Sequence, residues 1–265
     1  MTRFVFGYLD RPGRWMTERE LSSLSAEVLA LGRQCLEPLP DYQVLLGTRE
    51  AFTDKVITTA RDPRDGRLRA FCSCVLLPMP VGEVLHLGLT CVDPALRGSR
   101  LSSALANRLI LRYFVTRRLF RRVWMTSVAC VLSVLGNVAR NFRNVYPAPW
   151  QPRPFADEVM EIADTFDRRY RSVAYVRPEA TFDRDAFVFR GSGRGTAFQK
   201  DGDAVEFHHR DPELNAFYRA RLRFEDGDEL LQVVSFDLWD LVRYQLDDRL
   251  AARRRHATQR RGAGA

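Results

Sequence analysis

The stretch VDPALRGSRLSSAL at 92–105 gathers residue types that hold an anion. Asp93, Pro94 and Gly98 turn the chain sharply after an apolar run. The residues that follow open a helix, so several backbone N–H groups point at one place and the helix N-terminus adds its positive dipole end. Arg97 and Arg100 contribute fixed charge, and Ser99, Ser102 and Ser103 contribute hydroxyl donors. A pyrophosphate suits such a loop. The same residues also make a plain strand-to-helix turn with solvated arginines and Ser102 as the helix cap, and short phosphate-loop patterns arise by chance.

Other chemistry-bearing stretches point less clearly. GSGRGTAF at 191–198 lacks both GxGxxG spacing and a Walker lysine, and reads better as a turn between strands. His208 and His209 are adjacent, so in a strand they would face opposite ways and share a metal poorly. No metal is expected. Arg117, Arg118, Arg121 and Arg122 gather at a helix end, where they complement its dipole. They could also meet a phosphate, an acidic carrier protein or nucleic acid. Cys35, Cys72, Cys74, Cys91 and Cys130 form an odd set without CxxC spacing, which argues against a disulfide framework or zinc site and for a reducing compartment.

The elements that must position the loop are legible in outline. A capping box, Thr17 with Glu20, starts a helix whose Leu21, Leu24, Val28 and Leu31 repeat at helical spacing until Pro38 and Pro40. Strands are expected at 44–46, 55–60, 67–77 and 83–92, with an Asp-Gly turn at 65–66 making a hairpin of the middle pair. A helix is expected over 101–120, a strand over 122–131 and a helix over 136–145. The proline-rich run at 146–154 stops it. Beyond, helices are expected at 155–171 and 213–223, and short strands at 173–176, 186–189 and 230–236. The order indicates α/β, with residues 1–150 as one unit, 151–250 as an α+β extension packed on it, and 251–265 as a disordered basic tail.

Composition sets bounds on function. With 265 residues, 46% apolar and 28% charged, the chain can bury a full core. Its net charge of +8 drops to +3 without the five arginines after residue 250, and lysine occurs only at positions 55 and 200. Nucleic acid is therefore not the default partner. The N-terminus lacks a sustained apolar segment, and the longest uncharged run, 123–139, is short of the ~20 residues a membrane span needs. A cytoplasmic protein without membrane association is expected.

The loop at 92–105 resembles motif A of the GCN5-related N-acetyltransferases (GNAT superfamily), V-x-P-x-x-(Q/R)-x-x-G-x-(G/A) followed by a helix. Val92, Pro94 and Arg97 match. Arg100 stands where the family has its first glycine and Ser102 where it has its last small residue. The resemblance covers about residues 20–150. It implies a GNAT-like mixed, mostly antiparallel central sheet flanked by helices, and an acyl-CoA donor, acetyl-CoA or another. Arg97, Gly98, Ser99, Arg100, Leu101 and Ser102 would hold the pyrophosphate. The strand ending at Thr90, Cys91 and Val92 would splay from the next, the pantetheine arm would lie in the gap, and a strand N–H would polarise the acyl carbonyl. Asn137 would approach the cofactor from the following helix. For the family's proton acceptor the candidates are Glu83 and His86, whose facing depends on strand register. Each has a bland reading too, Glu83 as a solvated strand-start charge and His86 as a partnered core histidine. Tyr146 is the candidate for the family's acid, although it falls late.

Three functions follow from these expectations. The first is an acyl-CoA-dependent N-acyltransferase acting on a small-molecule or protein amine. The second, motivated by Arg100, Ser102 and the displaced tyrosine, is a GNAT-like binding or assembly module without catalysis. The third takes its acyl group from an acidic carrier protein. A homodimer is compatible with all three, and the C-terminal third is expected to shape the acceptor side.

Overall fold

The computed structural model describes residues 4–118, 121–151 and 153–240. Its nine strands are β1 (Val5–Asp10), β2 (Lys55–Arg61), β3 (Leu68–Met79), β4 (Gly82–Val92), β5 (Val123–Ala129), β6 (Asn144–Tyr146), β7 (Thr181–Asp183), β8 (Val188–Arg190) and β9 (Glu229–Phe236). They form one sheet in the order β1-β2-β3-β4-β5-β9-β8-β7, with β6 also pairing β9. All neighbours are antiparallel except β4 and β5. This is the mixed, mostly antiparallel α/β sheet that the sequence implies.

Strands expose alternate residues on opposite faces, and each face carries its own helices. Helices α2 (Leu101–Tyr113), α3 (Leu132–Asn141) and α5 (Pro212–Arg219) cover one face, packing Leu105, Leu109, Leu135 and Tyr218 against Cys72, Cys74, Leu85 and Val234. Helices α1 (Glu18–Cys35) and α4 (Asp157–Arg169) cover the other. There Leu24 and Val28 of α1 meet Phe71 and Cys91, and Ile162 and Phe166 of α4 meet Val75, Val84 and Leu231. The expected capping box is in place, Glu20 N–H donating to the Thr17 hydroxyl and Thr17 N–H to the Glu20 carboxylate.

Four local expectations are corrected. Residues 44–46 are not a strand but part of a 3₁₀ turn, Gln43–Leu46, closed by Gly47 at φ +72°. Residues 173–176 likewise overlap a 3₁₀ turn, Arg171–Ala174, ended by Tyr175 at φ +61°. A run of two or three buried apolar residues satisfies a turn as well as a strand. The helix expected from 136 begins at Leu132, and the one expected to run to 120 leaves α geometry at Phe114 for a π turn through Arg118. The strand β1, which pairs β2 at the sheet edge, went unread in the sequence. The basic tail expected over 251–265 lies outside the described residues.

Candidate functional site

Strands β4 and β5 pair over only four positions, from Val84 with Trp124 to Leu87 with Ser127. Beyond Leu87, β4 runs on to Val92 and β5 to Ala129 without pairing, so the sheet is split there. A bulge on β4 opens the split. Cys74 faces Leu87 and Cys72 faces Thr90, so Gly88 and Leu89 together oppose the single residue Ser73. The extra residue also shifts the facing of the strand: Leu85 packs under α2 and α3, whereas Leu89 and Cys91 pack under α1.

A side chain holds the bulge from beneath. Gln43 sits at φ +47°, and its Nε2 donates to the Tyr42 hydroxyl (2.7 Å) and to the Val173 carbonyl (3.1 Å). Its Oε1 accepts from Ser73 Oγ at 3.3 Å. A Cβ on Gly88 would come within 2.1 Å of this carboxamide, so the position needs glycine for close approach.

The split encloses a cleft of about 380 Å³ that passes through the sheet. From the α2/α3 face it is lined by Ser102, Ser103 and Asn107 of α2 and by Val134, Asn137 and Asn141 of α3. On the α1/α4 face lie Tyr42, Ala174, Phe198 and Glu229, three of the four from the C-terminal third. Gly88, Leu89 and Thr90 form one wall; Ser127, Val128 and Ala129 form the other.

The loop at 92–101 ends at the mouth of this cleft. Asp93 shapes it, accepting from the Ala95 amide (2.9 Å) and pairing with Arg69 (3.1 Å). Gly98 and Arg100 both take positive φ, +78° and +61°. Arg100 is the N-cap of α2 and no side chain caps the helix. Ala104 N–H returns to the Arg100 carbonyl, which leaves the amides of Leu101, Ser102 and Ser103 as the unpaired donors of the first turn. Ser102 faces the cleft instead of capping the helix.

The sequence candidates divide accordingly. Thr90, Ser102 and Asn137 line the cleft, while Arg97, Gly98, Ser99 and Arg100 form the exposed loop at its mouth. Leu101 is buried in the core beneath, Cys91 packs toward α1, and the Val92 carbonyl accepts from Cys35 Sγ. Glu83 is at the far end of β4, where it pairs with Arg11 (3.1 Å) and accepts from Tyr113 Oη (2.9 Å). His86 is 1% exposed, bonded through Nδ1 to Thr126 Oγ1 (3.0 Å) and packed on Phe166. Burial, helped by the nearby Lys55 charge, pushes its pKa down to about 3. Tyr146 belongs to β6 and stacks edge-on against Phe155. None of these last three lines the cleft.

Glu229 is a carboxyl lining the cleft that sequence reading passed over. It is 7% exposed, at the first position of β9, and burial pushes its carboxyl up to about 7 against a lowering bond from Ser192 Oγ. Ser192 comes from the glycine-rich stretch at 191–198, which serves as the turn expected of it. Glu229 sits in an acidic run with Glu225, Asp226 and Asp228, which hides it. The available signal was parity: it shares its strand face with Leu231 and Val233.

Among the described residues, no group of three or more His, Cys, Asp or Glu side chains is placed to hold a metal, and no helix is long and apolar enough to cross a membrane. Arg117 pairs with Asp10, and Arg118 lies 3.6 Å from Glu83.

No family model and no curated protein matches the chain. Solved structures with a similar arrangement include a GNAT family N-acetyltransferase, YhbS, from Escherichia coli in complex with CoA, at 12% identity and a TM-score of 0.39 over 53% of this chain and 73% of that one. An acyl-CoA N-acyltransferase from Pseudomonas aeruginosa matches at 21% identity and a TM-score of 0.35, over 52% and 86%. A third match is to a GCN5-related glucosamine N-acetyltransferase region of a fungal multi-domain β-N-acetylglucosaminidase, at 16% identity and a TM-score of 0.34. It takes in 48% of this chain and only 14% of that one.

Proposed function

We propose that this chain is an acyl-CoA-dependent N-acyltransferase, with acetyl-CoA as the first donor to test, and that it passes the acyl group directly to an amine. The observation that carries the reading is the split between β4 and β5, opening beside the uncapped N-terminus of α2. A strand edge without its ladder partner carries backbone donors and acceptors that need other partners. A pantetheine arm, with its two amides, offers them. The free amides of Leu101, Ser102 and Ser103, with Arg97 beside them, suit a pyrophosphate. Asn137 and Asn141 offer amide groups to the arm from α3. An N–H of the bulged segment at Gly88–Leu89 would polarise the acyl carbonyl, and the amine would approach from the opposite face.

A second reading, a binding module without catalysis, is favoured by Arg100 and Ser102 at the two small-residue positions of the motif. Thermal unfolding with acetyl-CoA, CoA and dephospho-CoA tests both. A ligand at 100 times its Kd that binds only the folded state stabilises by about 2.7 kcal/mol. The expected result is a clear rise with acetyl-CoA that Arg97→Ala reduces. No rise with any CoA species in a folded protein would sink the reading and favour a carrier-linked donor. A rise without acyl transfer to any amine would favour the module.

A further inference from the structure

The far side of the cleft holds a carboxylate set among aromatic rings. Tyr42, Tyr175 and Phe198 form a mutually edge-on triad with ring centroids 5.4–5.7 Å apart, and Tyr42 and Phe198 reach the cleft. Gln43 fixes the Tyr42 hydroxyl. Glu229 completes the group, with Oε2 accepting from Ser192 and Oε1 without a hydrogen bond among the described residues. Ala129 pairs with Leu230, so Glu229 lies just past the end of β5, three positions beyond the last β4–β5 pair at Ser127. Among the described residues, no other Asp, Glu, Lys, Arg or His lines this cleft.

We propose that Tyr42, Phe198 and Glu229 form the acceptor site, entered from the α1/α4 face, and that Glu229 receives a compact primary ammonium and takes its proton. This inference rests on the donor reading above. A buried carboxylate with one unbonded oxygen favours a cation, and aromatic faces add cation–π attraction. An anionic or neutral acceptor gains neither. The site's protonation behaviour fits, because a carboxyl pushed up to about 7 accepts a proton far more readily than an ordinary one.

The ammonium gives one proton to Glu229, and the freed lone pair attacks the thioester carbonyl carbon. The C–N bond forms, the C–S bond breaks with its electron pair leaving on sulfur, and a second proton passes from nitrogen to the thiolate. Glu229 then releases its proton to solvent, leaving an amide and a free thiol.

The probes are phenethylamine, its neutral analogue phenethyl alcohol, and acetyl-CoA, applied to the full chain. Binding of the two aromatic probes is measured by calorimetry with and without CoA. The expected result is a preference of roughly tenfold or more for the ammonium in the wild type, the scale of one charged hydrogen bond. Glu229→Gln should erase that preference while keeping the thermal rise with CoA. Thiol release from acetyl-CoA with phenethylamine should drop on the order of 100-fold in the same variant. Equal affinity for amine and alcohol in the wild type, a comparison that needs no variant to fold, would overturn the acceptor site. A preference that survives Glu229→Gln would overturn the role of this residue, and so would binding of both substrates without thiol release. Absence of a thermal rise with any CoA species overturns the donor reading instead.

Discussion

Arg100 holds φ +61° at the position where the motif it resembles carries glycine. A left-handed backbone costs an L-residue roughly 1–2 kcal/mol, while glycine adopts it freely but loses more entropy on folding. Nothing in the described structure bonds the Arg100 side chain, so the backbone conformation is retained in spite of the residue. Two consequences separate cleanly. If the loop's shape binds the donor, Arg100→Gly raises stability by roughly 0.5–1 kcal/mol, the net of those two effects, and keeps most of the thermal rise with CoA. That is the expected outcome in a denaturant titration paired with a ligand scan. A variant that gains stability but loses the rise would assign pyrophosphate binding to the guanidinium. The residue type was legible from the start. Its backbone conformation was not, because left-handed geometry at a non-glycine residue is imposed by its neighbours, here the turn at Gly98 and the first turn of α2.

Between strands β4 and β5, the one parallel pair of the sheet, His86 and Thr126 stand directly opposite and share a hydrogen bond. His86 is therefore part of what keeps the strands joined up to the split, and its neutrality has a stability consequence. Burial depresses its pKa from 6.5 to about 3, so between those values the unfolded chain binds a proton that the folded one does not. Its contribution is complete above pH 6.5 and shrinks as pH falls toward 3, by up to about 1.4 kcal/mol per pH unit. Urea unfolding between pH 7 and pH 4 should show that slope in the wild type. The double variant His86→Leu, Thr126→Val removes both partners and leaves no orphan. It should flatten the slope by close to one proton, and an unchanged slope would mean that His86 does not govern it. The strand and its apolar neighbours Leu85 and Leu87 were readable from sequence, as were the capping box of α1 and the hairpin of β2 and β3. Which face His86 occupied was not. Parity along β4 is broken at Gly88, and a bulge is visible only once the partner strand is in register. Dependence on distant partners hid Glu229, whose neighbours Tyr42, Phe198 and Ser192 arrive from two separate loops.

Across the whole molecule, the C-terminal third is woven into the sheet. Strand β9 pairs with the full length of β5, from Val123 with Phe236 to Ala129 with Leu230, and also carries β6 and β8. All eight of its residues are buried. Gln232 ties it to α3 and α5, donating to the Leu135 carbonyl (3.1 Å) and to Tyr218 Oη (2.8 Å). A chain ended at residue 154 would lose this strand from the middle of the sheet. Strand β5 would become an edge with Trp124, Met125 and Val128 uncovered, and long apolar edges of that kind invite association with other chains. The helix α4 would go too, uncovering Val75, Leu77 and Val84. At about 25 cal/mol per Å² of apolar surface, exposing several such side chains outweighs the 5–15 kcal/mol by which a domain is usually stable. The 1–154 fragment is therefore expected to aggregate, or to show no cooperative thermal transition and no rise with CoA. A soluble fragment that unfolds cooperatively and still gains stability from CoA would show that residues 1–150 fold and bind the donor alone, with the rest as a separable acceptor-side addition. The proposed acceptor residues Phe198 and Glu229 would then have been built onto a working donor half, whereas the woven sheet ties the two halves of the proposed site to one folding event.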